Sequence, residues 1–188
     1  MATEKELNDF LAGVEKRAFK RCVYQVRDDE AALDIVQDSM MKLAHHYGDK
    51  PVSELPMLFQ RILSNTTLDW FRRQKTRHQV LVNVGDLSRG NDDDELELYD
   101  NIQVDQIADW ALSGENWLQS KETMALIEQE IQNLPLRQRE AFLLRYWEEL
   151  DVAETAAAMG CTEGSVKTHC SRALAALVEA LKKKGIQP

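Results

Sequence analysis

Two clusters of side chains in this chain have the types and spacing to handle a polyanion. Ser165, Lys167, Thr168, His169, Ser171 and Arg172 fall within eight positions, and all are hydrogen-bond donors or cations. Such residues reach phosphate oxygens and base edges without steric conflict. Arg72, Arg73, Lys75 and Arg77 place four more cations within six positions. A cation near a helix C-terminus stabilises it by about 0.3–1 kcal/mol, and four of them exceed what capping requires. Neutralising phosphates would use them all and make binding steeply salt-dependent. A solvated helix face would also present the residues at 165–172, so the elements around each cluster decide between the readings.

Residues 134–181 read as four short helices, the last two joined by a tight turn. Pro135 suits a first helical position, where no N–H is needed. Phe142, Leu143, Tyr146 and Trp147 continue one apolar face at helical spacing, and Val152, Ala156 and Met159 form a smaller, alanine-rich face. Gly160 fits the left-handed position that ends a helix, and Thr162 fits an N-cap whose hydroxyl reaches the N–H of Gly164 or Ser165. Val166, Cys170, Leu174, Leu177 and Leu181 then line one side of a last helix, opposite the polar cluster. That layout is a helix-turn-helix, which presents its second helix to the DNA major groove.

The N-terminal part reads as three or four helices. One spans roughly 4–26 and a second 30–47, the latter burying Leu33, Val36, Met40, Leu43 and Tyr47 and showing Asp34, Gln37, Asp38 and Lys42. Asp28 and Asp29 mark its start, where negative charge favours the helix dipole. Gly48, Asp49 and Pro51 break the chain into a loop. A third helix from Leu55 to about Arg77 buries Leu58, Phe59, Ile62, Leu63 and Thr66 and ends in the basic cluster. Phe59, Trp70 and Phe71 could stack on bases, but at helical spacing at least two belong in a core.

A net charge of −9 looks wrong for a DNA binder until it is divided along the chain. Residues 1–78 carry +1 and residues 118–188 carry −1, whereas 79–117 hold 10 acidic residues against 1 basic one. The whole excess therefore lies in the middle, in a stretch of weak periodicity with an acidic run at 92–95. The expected architecture is all-α: two small helical domains, 1–78 and 118–188, joined by an acidic flexible linker at 79–117. No apolar run approaches the roughly 20 residues of a membrane span, and the first ten residues are polar. The chain is expected to be cytoplasmic, without membrane insertion. Cys22, Cys161 and Cys170 make an odd count with no paired spacing, which favours reduced structural thiols over disulfides or zinc. No P-loop, HExxH or nucleophile elbow occurs, so no catalytic residue, metal or cofactor is expected.

Three segments carry a family resemblance. DEAALDIVQDSMMKLAHHY resembles the helix of sigma-factor region 2 that docks on the RNA polymerase clamp. LPMLFQRILSNTTLDWFRRQKTR resembles the adjoining helix that melts and reads the −10 element. LPLRQREAFLLRYWEELDVAETAAAMGCTEGSVKTHCSRALAAL resembles region 4, which reads the −35 element. They occur in the right order with nothing matching regions 1 or 3, the pattern of the extracytoplasmic-function (ECF) sigma factors of bacteria. The resemblance implies a transcription initiation factor in stress response, with core RNA polymerase (clamp of the largest subunit, flap of the second), promoter DNA and an anti-sigma factor as partners. It implies that Asp34, Gln37, Asp38 and Lys42 meet the clamp. Asn65 and Asp69, with the loop at 48–55, would capture a flipped base of the −10 strand, and Arg72, Arg73, Lys75 and Arg77 would hold upstream phosphates. Ser165, Lys167, Thr168, His169, Ser171 and Arg172 would enter the major groove at −35. The acidic linker would thread through polymerase as a nucleic-acid mimic. Leu68, Asp69 and Ser171 depart from the types common in relatives at base-reading positions.

Two other classes stay open on the residues alone. A conventional DNA-binding regulator shares this helix-turn-helix, but would carry an upstream receiver or ligand-sensing domain with alternating strands. An adaptor built from helical bundles would need neither the basic helix end nor the polar reading face. Transcription reconstituted with core polymerase separates all three.

Overall fold

The computed structural model describes the backbone of residues 3–81 and 117–185 and the side chains of 3–76 and 124–185. The described residues are helical without strands, as expected for an all-α chain. Helix α1 spans Glu4–Val26, α2 Asp29–Tyr47 and α3 Leu55–Leu81, with a 3₁₀ turn at Val52–Glu54 leading into α3. Helix α4 spans Trp117–Asn133, α5 Leu136–Phe142, α6 Val152–Met159 and α7 Glu163–Lys183, and a π-helical turn at Leu143–Trp147 extends α5. One compact unit holds α1, α2 and α3 with Ala153–Thr162; the other holds α4, α5 with its π turn, and α7. The acidic run at 92–95 and most of the expected linker lie outside the described residues.

The boundaries of the first three helices follow from capping. Thr3 and Glu6 form a reciprocal capping box, with Glu6 N–H donating to Thr3 Oγ1 at 3.2 Å and Thr3 N–H to Glu6 Oε2 at 2.7 Å. At the other end Arg27 takes a left-handed conformation, φ 58°, and its N–H donates to the Val23 carbonyl at 2.9 Å. Asp28 immediately caps α2 by accepting from Ala31 N–H at 2.9 Å. The α1–α2 connection is therefore two residues. Helix α3 runs past the expected end at Arg77 to Leu81, because neither Gly nor Pro interrupts it.

Cys22, Val26, Ile35, Val36, Leu43, Leu55, Phe59 and Leu63 fill the core of this unit, with Trp70 and Phe71 packed on its margin. All three aromatics offered for base stacking are thus used in packing, Trp70 and Phe71 edge to face at 4.9 Å. Arg21 is buried among them and is satisfied from α3, donating to Gln60 Oε1 and to Ser64 Oγ. One expectation fails. Leu33 is 42% exposed, because it lies one position beyond the buried stripe Ala32, Ile35, Val36, Ser39 and Leu43.

The second unit has a different logic. Pro135 is the N-cap of α5, one residue ahead of expectation, and Leu134 before it is kept out of the helical region. Arg139 donates to the Gln132 carbonyl at 2.8 Å, satisfying an acceptor that the end of α4 leaves open. Leu134, Ala173 and Leu177 form a core with Ile131 and Phe142, where the methyl of Ala173 lets α7 approach closely. Lys184 ties the far end of α7 to α4 through Glu130 at 2.6 Å. Residues 134–181 hold three α-helices rather than the four expected, since α5 passes into the π turn without a break. That turn shows in the Glu148 N–H to Leu143 carbonyl bond at 3.0 Å, and Leu150 N–H closes on the Leu144 carbonyl at 3.1 Å.

Candidate nucleic-acid interface

Helix α7 is set by the turn before it. Gly160 has φ +65°, a conformation that disfavours a Cβ, and Cys161 N–H closes on the Ala156 carbonyl at 3.1 Å. The chain leaves α6 there, and α7 begins three residues later at Glu163. Val166, Cys170, Leu174, Leu177 and Leu181 are all buried, so the apolar side read from the sequence is the packed side. Lys167 is exposed, and Ser165, Thr168, His169, Ser171 and Arg172 are partly exposed. Thr168 Oγ1 donates to the Gly164 carbonyl at 3.0 Å, which leaves the hydroxyl an acceptor toward solvent. All six predicted residues of this helix therefore sit off its buried stripe.

Helix α3 presents a second polar stripe. Asn65, Asp69, Arg72 and Arg73 recur at helical spacing and are exposed, with Lys75 beside them. Asp69 Oδ1 pairs with Arg72 at 3.0 Å, and Arg73 Nε donates to the Asp69 carbonyl at 3.3 Å. Both arginines are thus oriented by one acidic residue. Arg77 lies on the helix, and its side chain is outside the described residues. From Leu55 to Phe71 α3 uses its inner side for the core, with Thr66 and Thr67 buried and Thr67 Oγ1 bonded back to the Leu63 carbonyl at 2.8 Å.

The outer side of α2 carries Asp34 and Gln37, both exposed, and the half-buried Asp38 and Lys42. Lys42 is engaged within the unit: Nζ lies 2.8 Å from Asp38 Oδ2 and 3.3 Å from Thr66 Oγ1 on α3. Leu33 and Met41, 42% and 68% exposed, flank Gln37 at spacings of four and so complete one stripe. Sequence reasoning missed this apolar component. The signal was the Leu33–Gln37–Met41 spacing, offset by one residue from the buried Ala32–Val36 line. Exposed apolar residues rimmed by polar ones mark interaction surfaces.

Among the described residues no group of three or more His, Cys, Asp or Glu is placed to hold a metal ion. None of the described helices is long and apolar enough to cross a membrane. None of the three cysteines forms a disulfide; Cys22 and Cys170 are buried and Cys161 is partly exposed.

Residues 124–177 match the family described as Sigma-70, region 4. The chain is 31% identical over 162 residues to the RNA polymerase sigma-E factor of Streptomyces coelicolor, an alignment covering 83% of this chain and 75% of that one. It is 27% identical over 156 residues to the ECF RNA polymerase sigma factor SigX of Bacillus subtilis, covering 82% and 72%. The sigma factor RpoE of Bartonella quintana, solved in complex with the anti-sigma factor NepR, matches with a TM-score of 0.64. That likeness covers 95% of this chain and 98% of the other at 22% identity, and it is one of fold.

Proposed function

The chain belongs to the extracytoplasmic-function (ECF) sigma factors of bacterial RNA polymerase, and from that membership we propose how its surfaces divide the work of transcription initiation. A sigma factor binds core polymerase and directs it to promoters. In our reading residues 1–78 dock on core and open the −10 element, residues 118–188 read the −35 duplex, and the acidic stretch at 79–117 links them. Polymerase supplies the chemistry, and this chain acts as a non-catalytic factor in the cytoplasm.

Asp34, Gln37 and Asp38, with Leu33 and Met41, form the face for the clamp of the largest subunit, and Lys42 sits at its edge. The second helical unit would meet the flap of the second subunit. On α3, Asn65 faces the separated −10 strand, and Arg72, Arg73, Lys75 and Arg77 hold phosphates. On α7, Ser165, Lys167, Thr168, His169, Ser171 and Arg172 meet the major groove. Phosphate contacts set register there, and the hydroxyls and His169 are the candidates for base edges. An anti-sigma factor is the proposed regulator, acting in trans by covering the same faces.

The observation that carries this reading is α7 itself. Six apolar residues are buried on one side, six donors and cations sit off that side, and a left-handed Gly160 turn precedes it. The test is reconstitution: purified chain with bacterial core polymerase should start transcripts at a specific promoter, while the chain alone binds DNA weakly. Tight specific binding without polymerase would identify a conventional regulator instead.

A further inference from the structure

Asp69 stands where a polyanion would be least welcome to find it. It is half-exposed on the same stripe as Asn65 and pairs with Arg72 through Oδ1 at 3.0 Å, with both side chains largely in solvent. Its carbonyl also accepts from Arg73 Nε at 3.3 Å. Among the exposed charges from Asn65 to Thr76 it is the single anion, against Arg72, Arg73 and Lys75. A phosphate approaching Arg72 must displace this carboxylate and then sit beside it. The core contacts of α3 do not need Asp69, since its buried residues here are Leu63, Ser64, Thr66 and Thr67. No hydrogen bond of the Asp69 carboxylate reaches another element among the described residues.

We infer that Asp69 is a specificity-determining residue: its carboxylate competes with DNA phosphate for Arg72 and suppresses sequence-independent binding. This rests on reading the end of α3 as a phosphate contact. Non-specific affinity comes almost wholly from phosphate neutralisation, so one competed cation lowers it directly. The same penalty would cancel from the specificity ratio if it applied equally to promoter DNA, but at the separated −10 strand the displaced carboxylate can accept from a base amino group, so the penalty is offset there alone. Discrimination rises as a result.

The experiment uses the full chain, free and as holoenzyme, with fluorescein-labelled single-stranded and duplex DNA of non-promoter sequence, titrated across salt. Asp69→Asn should tighten non-specific binding by about two- to five-fold at low salt, the range that an exposed ion pair supports. The dependence of log affinity on log salt should steepen by up to about 0.7 for single strands and 0.9 for duplex, as one more phosphate is engaged. In an Arg72→Gln background the same change should gain much less, only the general relief of repulsion from one fewer negative charge. The ratio of promoter to non-promoter affinity of the holoenzyme should fall. Unchanged or weakened binding by Asp69→Asn overturns the inference, and so does an equal gain in the Arg72→Gln background. The phosphate reading has its own control. If Arg72→Gln, Arg73→Gln and Lys75→Gln together leave the DNA affinity of the holoenzyme unaltered, that reading falls and takes the inference with it; if they lower it and Asp69→Asn does nothing, only the inference falls.

Discussion

Replacing Leu33 and Met41 by Ser should weaken docking on core polymerase without unfolding the protein. Burying a Met or Leu side chain completely contributes about 1.5–3 kcal/mol. Met41 is 68% exposed and Leu33 42% exposed, so contact with the clamp would bury the remaining fraction of each. That gives about 1–2 kcal/mol for Met41 and about 0.6–1.3 kcal/mol for Leu33. At about 1.4 kcal/mol per tenfold, Met41→Ser should weaken core binding roughly 5- to 30-fold, and the double variant about 10- to 200-fold. Each side chain is partly covered within its own unit, so the same scale puts the stability loss of the double variant at about 1.4–2.7 kcal/mol, less than the stability of an ordinary folded domain. The assay is competition for core polymerase against a labelled sigma factor, beside a thermal melt of each variant. Val52→Ser is the control: Val52 is 39% exposed but lies in the turn before α3, off this face. An unchanged core affinity in the double variant, or an equal loss in Val52→Ser, would refute the assignment of α2 as the docking face.

Three further outcomes follow from other parts of the molecule. Gly160→Ala, at φ +65° with nothing within 4 Å of the added Cβ, should cost about 1–2 kcal/mol by backbone strain alone, read as a lowered Tm. Lys167→Gln should weaken binding of the holoenzyme to −35 duplex similarly across sequences and flatten its salt slope by about 0.9 if Lys167 meets a phosphate. The hydrogen bond from Lys184 holds the Glu130 carboxyl below its ordinary range, even though partial burial pushes the other way. A depressed carboxylate contributes stability above its unfolded pKa and loses it as pH falls through the folded value. Lys184→Met should therefore reduce the stability lost on acidification below the ordinary carboxylate range, with little change in the slope of stability near pH 7, measured by urea denaturation at a series of pH values.

Much of this architecture was legible because helical periodicity reports direction. Val166, Cys170, Leu174, Leu177 and Leu181 were read as one side, and all five are buried. Glu4–Val26 was legible from its pattern, and Asp28 marked the start of α2 through its chemistry. Periodicity does not report what covers a side chain. Leu33 fits the apolar pattern of α2 yet faces solvent, since no element of the described unit packs over it. Arg21 looks like a surface cation and is buried, because Gln60 and Ser64, some forty positions away, supply acceptors. Lys42 was read as part of the polar face of α2 and is bonded to Thr66 for the same reason. The π turn escaped because it depends on hydrogen bonds from Glu148 and Leu150, not on composition. The candidate interface on α7 was readable locally, whereas the hold of Asp69 on two arginines required coordinates.

The two-residue junction at Arg27 and Asp28 bears on how the protein is made. With α1 and α2 joined so tightly and α3 following, the first core draws its residues only from Leu7 to Phe71. Contacts this near in sequence close quickly. At about 5–20 residues per second, a ribosome needs roughly 5–20 s to add the hundred or so residues after α3. The helices proposed to dock on polymerase thus have time to assemble while the end proposed to read the promoter is still being translated.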